Sequence, residues 1–251
     1  MPALDLQAAR LAGVAAVRAA AVVTEAVRAD LQAADSVGKA DKSPVTVADF
    51  AAQAILVLRL REAFPAIPVV AEEDADALRE SSELCGRVVA RVQACPGCEA
   101  LSPDAILEAI DSGRASPPGP AAAGETAARY FWCIDPIDGT KGFLRNDQYA
   151  VCLGLVRVSP DGRGAAVVGV LGCPNLPPAG AAADAGAAAA PRGAILHAAL
   201  GAGAAMEAID GGAAAEIRVA SAAVADTVCV ESVEPVRPPE PLSDLVRVVS
   251  C

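Results

Sequence analysis

Aromatic side chains make up only 3% of this 251-residue chain, histidine occurs once, and positive charge is in deficit. With 20 Lys+Arg against 31 Asp+Glu, the formal net charge is -11 and the isoelectric point is near 4.6. Such a field repels nucleic acid polymers, which are excluded as partners. An uninterrupted apolar span is also missing. The longest uncharged stretch, Gly164 to Ala183, is broken by Pro174, Asn175, Pro177 and Pro178, and the N-terminal segment carries Asp5, Arg10, Arg18 and Glu25 through its apolar positions. The first fails as a transmembrane helix and the second as a secretory signal. The expectation is a cytoplasmic or organellar chain with no membrane association and no clear transit peptide. The eight cysteines, at 85, 95, 98, 133, 152, 173, 229 and 251, are dispersed rather than packed as in a small disulfide scaffold, which points to a reducing compartment. Cys95 and Cys98 form CPGC. With no second such pair and His197 the only histidine, a regulatory disulfide is a better reading there than a metal site.

The hydrophobic share is 54%, much of it alanine, so the mean hydropathy of +0.40 overstates how oily the chain is. The length suits one large α/β domain or two tightly joined ones. Residues 3 to about 33 read as an Ala-rich amphipathic helix, followed by a polar turn from Asp35 to Asp41. A second helix is expected to open near Thr46, with Pro44 before it, Thr46 as cap, Asp49 three residues later, and an end before Pro65. Ile67 to Ala71 reads as a short buried strand ending in Glu72, Glu73 and Asp74. Between 75 and about 128, helices joined by exposed loops are expected. Strands follow at RYFWCID, at YAVCLGLVRV from Tyr149 and at AAVVGVLGC from Ala165, the last two joined by the Pro160-Asp161-Gly162 turn. Residues 179 to 193 are low in complexity, and GAILHAAL, EIRVA and TVCVESV look like further strands.

The strongest chemical signal is FWCIDPIDGTKGF at 131 to 143. An apolar strand there delivers Asp135 and Asp138 on either side of Pro136 and Ile137, then Gly139 and Thr140. Two carboxylates at a strand end can share divalent cations, and Mg²⁺ prefers a few such oxygens plus those of a phosphate. Gly139 lets the backbone approach an anion closely. An isolated Asp-Gly is usually only a turn, but the full string is far less generic. Lys39 and Lys42 are left out of the site as ordinary solvated lysines, His197 reads as a core or strand-edge residue, and Phe131 and Trp132 as core beneath the site.

DPIDGT, preceded by VVAEED at 69 to 74 and DKSPVTVADFAAQ at 41 to 53, resembles the lithium-sensitive, metal-dependent phosphomonoesterases: inositol monophosphatases, fructose bisphosphatases and bisphosphate nucleotidases. WCIDPIDGTKGFLRNDQYAVCLGLV and CVESVE at 229 to 234 are most similar to the 3'(2'),5'-bisphosphate nucleotidase branch. The resemblance implies a layered α/β fold of the inositol-monophosphatase type, with a metal-binding catalytic domain at 1–160 and a partial C-terminal domain at 161–251. It implies metal ligands at Glu72, Asp135 and Asp138, with the backbone carbonyl of Ile137, for roughly two or three Mg²⁺ ions. Asp49 and Thr140 match the pair that activates the attacking water, and the N–H groups of Gly139 and Thr140 match those that hold the phosphate. Past Glu234 the WDxAxG-like metal motif of this branch is missing, so a C-terminally truncated chain with a weakened second metal site is expected. The implied activity is Mg²⁺-dependent hydrolysis of the 3'-phosphate of adenosine 3',5'-bisphosphate, with 3'-phosphoadenylyl sulfate as a further substrate, by a monomer or weak oligomer. Inositol phosphatase activity and a catalytically impaired binding module are the alternatives.

Overall fold

The computed structural model describes residues 4–35, 43–120, 128–177, 193–211 and 214–217. Lys39, Lys42, most of the low-complexity run and the TVCVESV and CVESVE segments lie outside them.

Helix α1 (Leu6–Asp35) is capped by Asp5, whose Oδ1 accepts from the N–H groups of Gln7 and Ala8 at 2.9 and 3.1 Å. Helix α2 (Ser43–Ala63) begins a turn earlier than the expected Thr46. Pro44 therefore sits in the first helical turn, where its missing N–H has no partner to lose, and Thr46 and Asp49 lie inside the helix rather than forming its cap. Strand β1 is only Val69–Val70, shorter than Ile67 to Ala71. The flanking backbone bonds elsewhere: Ile67 N–H donates to Phe64 O and Ala71 N–H to Gly113 O. Three helices follow, α3 (Asp76–Glu80), α4 (Ser82–Gln93) and α5 (Pro103–Asp111), with Ser81 and Ser102 capping the last two. Then come β2 (Arg129–Asp138), the short α6 (Thr140–Arg145), β3 (Ala150–Val158), β4 (Gly164–Cys173), β5 (Ala194–Ala199), β6 (Gly203–Ala208) and β7 (Ala215–Ile217). The boundary expected at residue 160 falls in the turn between β3 and β4.

These strands form one sheet in sequence order, β1 to β7. The β1–β2 pair is parallel, with Val69 opposite Trp132 and Val70 opposite Cys133; all later pairs are antiparallel. Helix α1 lies across β3, β4 and β5, and α2 lies against α1, β2, α4 and α5. A core with so few aromatics closes by close approach. Val17 of α1 is 2.6 Å from where a Cβ on Gly172 would stand, and Leu153 and Val170 are 3.1 Å from the equivalent point at Gly13. Alanines 9, 16, 20 and 21 line the same buried face of α1.

By length and composition Leu6–Leu31 could cross a membrane, but 44% of that window is buried inside this fold. Its buried residues, among them Val14, Val17, Val23 and Val27, are in the main core, while Leu11 and Val22 are exposed. Arg18 fastens the helix to the end of β6, donating to Glu207 Oε1 at 2.7 Å and to Ala208 O at 3.0 Å. Trp132 is fully buried in the main core beside Phe64, with ring centroids 5.9 Å apart, as expected. Phe131 is not in that core. Side chains alternate along a strand, so Phe131 and Cys133 join a separate cluster with Val70, Val156 and Val158. His197 is buried in β5, and burial together with Arg10 and Arg18 lowers its pKa.

Candidate active site

The parallel register of β1 and β2 places the site. Two residues beyond the paired Val70 and Cys133 stand Glu72 and Asp135, so both stand past the paired stretch, toward the carboxyl ends of adjacent parallel strands. That end is where open α/β sheets bind ligands. Strand β2 then breaks its ladder. Asp135 faces Cys152 and Asp138 faces Ala150, three residues against two, which is a one-residue bulge. Pro136 has no N–H to give the ladder, and Ile137 N–H turns back to Asp135 Oδ1 at 3.2 Å. Gly139 follows at φ +87°, a left-handed backbone conformation that favours glycine. Thr140 opens α6, exposed, and its hydroxyl donates to Ile137 O at 3.4 Å.

Five carboxylates share this end of the sheet. Asp49, in the second turn of α2, is pushed up to about 8 by burial first and then by Glu73, Asp135 and Glu72. Asp135 rises to about 6 through burial, Asp138 and Glu72, partly offset by the Ile137 N–H. Burial also raises Asp138, partly offset by the neighbouring Gly139 N–H. Glu73 is raised by burial and by Glu72 and Asp74, while Glu72 itself is exposed. The structure therefore brings Asp49, Glu72, Asp135 and Asp138 into one electrostatic neighbourhood. In this conformation the Thr140 proton points at the Ile137 carbonyl rather than at Asp49.

The charges acting on Asp49 are all carboxylates, and the available donors are all oxygens. That chemistry fits Mg²⁺, which takes few protein ligands and completes its shell with water and phosphate oxygens. Among the described residues no three His, Cys, Asp or Glu side chains converge into a closed cage. Carboxylates taken in pairs, with the Ile137 carbonyl, fit such an open site.

Two supports were not legible as such in the sequence. Gln53, fully buried and one turn past Asp49, donates through Nε2 to Glu73 O at 2.6 Å and to Ile110 O at 3.1 Å, and its Oε1 accepts from Glu73 N–H at 3.0 Å. An amide inside the apolar run AAQAILVL was the available signal, since buried polar groups are almost always bonded. Behind Gly139, Tyr149 donates to Glu25 Oε1 at 2.7 Å, lies 2.8 Å from Thr24 Oγ1, and meets Phe143 edge-on with ring centroids 5.0 Å apart. Nothing in the spacing of residues 24, 25 and 149 signalled that network.

The family model described as "Inositol monophosphatase family" matches residues 6–247. A 3'(2'),5'-bisphosphate nucleotidase of Schizosaccharomyces pombe is 41% identical over 186 residues, 69% of this chain and 49% of the relative. An Oryza sativa protein of the same name is 38% identical over 217 residues, 82% of this chain and 57% of the relative. An Arabidopsis thaliana 3'(2'),5'-bisphosphate nucleotidase 1 is 42% identical over 63% of this chain and 44% of its own length. The chain thus spans about half the length of these relatives. Among solved structures, Mycobacterium tuberculosis SuhB aligns at 19% identity and a TM-score of 0.45, covering 86% of this chain and 53% of that one.

Proposed function

Because the chain belongs to the inositol monophosphatase family, we propose that it is a Mg²⁺-dependent phosphomonoesterase that removes the 3'-phosphate of adenosine 3',5'-bisphosphate, giving AMP and phosphate. 3'-Phosphoadenylyl sulfate carries the same 3'-phosphate and is the second substrate. The observation that carries this reading is the bulged Asp135–Asp138 turn at the end of β2, beside Glu72 and next to Asp49. The names of the nucleotidase relatives support the choice of substrate.

In this reading Glu72, Asp135, Asp138 and the Ile137 carbonyl hold the cations. When bound, Mg²⁺ supplies the positive charge that ionises the crowded carboxylates and offsets charge developing on the phosphoryl oxygens. Asp49 accepts the proton of the attacking water through Thr140, whose hydroxyl first turns away from Ile137 O. The Gly139 and Thr140 N–H groups receive the phosphate. Direct attack by water leaves no covalent phosphoenzyme.

The test is phosphate release by the purified chain, with and without Mg²⁺, from adenosine 3',5'-bisphosphate, inositol 1-phosphate and fructose 1,6-bisphosphate. Mg²⁺-dependent, lithium-inhibited release from the nucleotide is expected. Release only from inositol 1-phosphate overturns the substrate assignment. A folded chain silent on all three overturns catalysis and leaves a binding module.

A further inference from the structure

The CPGC sequence leaves the end of α4 and is not used by the carboxylate site. Cys95 N–H donates to Val92 O at 3.0 Å, finishing the helix, and Cys98 N–H donates to Cys95 O at 3.0 Å, closing a β-turn over Pro96 and Gly97. Proline at the second position presets φ, and Gly97 at the third has φ +82°, as a type II turn requires. A β-turn holds the Cα atoms of its first and fourth residues within about 7 Å. Disulfides span Cα separations of about 4.4–6.8 Å. The fold therefore sets the pair near bonding geometry before any bond forms.

The surroundings reinforce this. Both cysteines are 3% exposed, and burial together with the neighbouring Cys95 raises the Cys98 thiol. Arg59 of α2 covers the turn: its guanidinium donates to Pro96 O and lies 3.4 Å from where a Gly97 Cβ would stand. Pro96 and Gly97, between the two cysteines, are themselves exposed.

We propose that Cys95 and Cys98 are a preorganised dithiol, a redox modification site that a small disulfide co-reactant converts into an intrachain disulfide. One thiolate attacks a sulfur of the co-reactant, forming a mixed disulfide and expelling one thiolate. The second cysteine attacks the protein sulfur of that mixed disulfide and expels the other. Two protein S–H bonds and one co-reactant S–S bond are exchanged for one protein S–S bond and two co-reactant thiols, and two electrons pass to the co-reactant. Placement just past a helix C-terminus disfavours a thiolate, and burial raises Cys98 against the pull of Arg59.

The test equilibrates the full chain in graded mixtures of reduced and oxidised dithiothreitol, folded and in concentrated urea, then alkylates and maps the cysteines by mass. The account expects the 95–98 peptide to lose two hydrogens, with an equilibrium constant at least about tenfold larger in the folded chain than in urea. Cys85 and Cys133 remain alkylatable, and Cys98→Ser abolishes the two-hydrogen loss. Equal constants in the two states, or Cys95 and Cys98 persisting as thiols in the most oxidising mixture, overturn it.

Discussion

Gln53 and Glu73 hold each other by a reciprocal pair of bonds: Gln53 Nε2 donates to Glu73 O at 2.6 Å, and Glu73 N–H donates to Gln53 Oε1 at 3.0 Å. With the further bond to Ile110 O, one buried amide joins α2, the β1 exit and the end of α5. Gln53→Leu keeps the side-chain volume but strands these backbone groups. It should cost about 2–4 kcal/mol in urea unfolding and weaken Mg²⁺ binding, because the Glu72–Glu73 segment loses its tether. Wild-type stability and Mg²⁺ affinity in this variant would refute the role.

Acidic crowding gives the chain an unusual stability profile. Asp49 is raised to about 8 and Asp135 to about 6, so the folded chain keeps protons that the unfolded chain releases near pH 4. Stability is therefore greatest at the acid side of this window and declines as pH rises through it. The thermal midpoint of the metal-free chain should be higher near pH 6 than near pH 8. Saturating Mg²⁺ and Asp49→Asn should each narrow the gap. A midpoint that climbs with pH in the metal-free chain contradicts this.

Tyr149 secures the strand that follows the Asp-Gly-Thr turn. Tyr149→Phe keeps the edge-on contact with Phe143 but removes the bonds to Glu25 and Thr24, and Glu25 keeps Arg28. A loss of about 1–2 kcal/mol in chemical denaturation is expected. No change would show that the hydroxyl contributes nothing.

Gly142 has no room for a side chain, since a Cβ would fall 2.1 Å from Gln148 O. Gly142→Ala must push α6 off the 147–148 backbone and should destabilise by about 3 kcal/mol. Thr140 opens that helix, so phosphate release should fall well beyond what unfolding explains. Full activity at a temperature where the variant is folded would separate α6 from the site.

Much of this was legible in the sequence where one physical rule dominates. The Asp135–Thr140 string could be read because proline, paired carboxylates and glycine each constrain the backbone, and the β3–β4 hairpin because Pro160-Asp161-Gly162 marks its turn. Other parts need tertiary information. The start of α2 shifted to Ser43 because proline is a good first-turn residue as well as a helix breaker. Strand β6, GAAMEA, went unread because alanines carry no clear alternation and only pairing with β5 extends them. Phe131 and Trp132 looked equivalent until the pleat sent them to opposite faces. The roles of Gln53, Glu25 and Tyr149 arise from contacts between distant segments.

The most direct test of the central claim is Mg²⁺-dependent phosphate release from adenosine 3',5'-bisphosphate by the wild-type chain and by Asp138→Asn, with folding of both verified by circular dichroism. The account predicts release that rises with Mg²⁺ in the wild type and is abolished in Asp138→Asn. Equal turnover by the two chains would remove the Asp135–Asp138 turn from the chemistry and contradict the account.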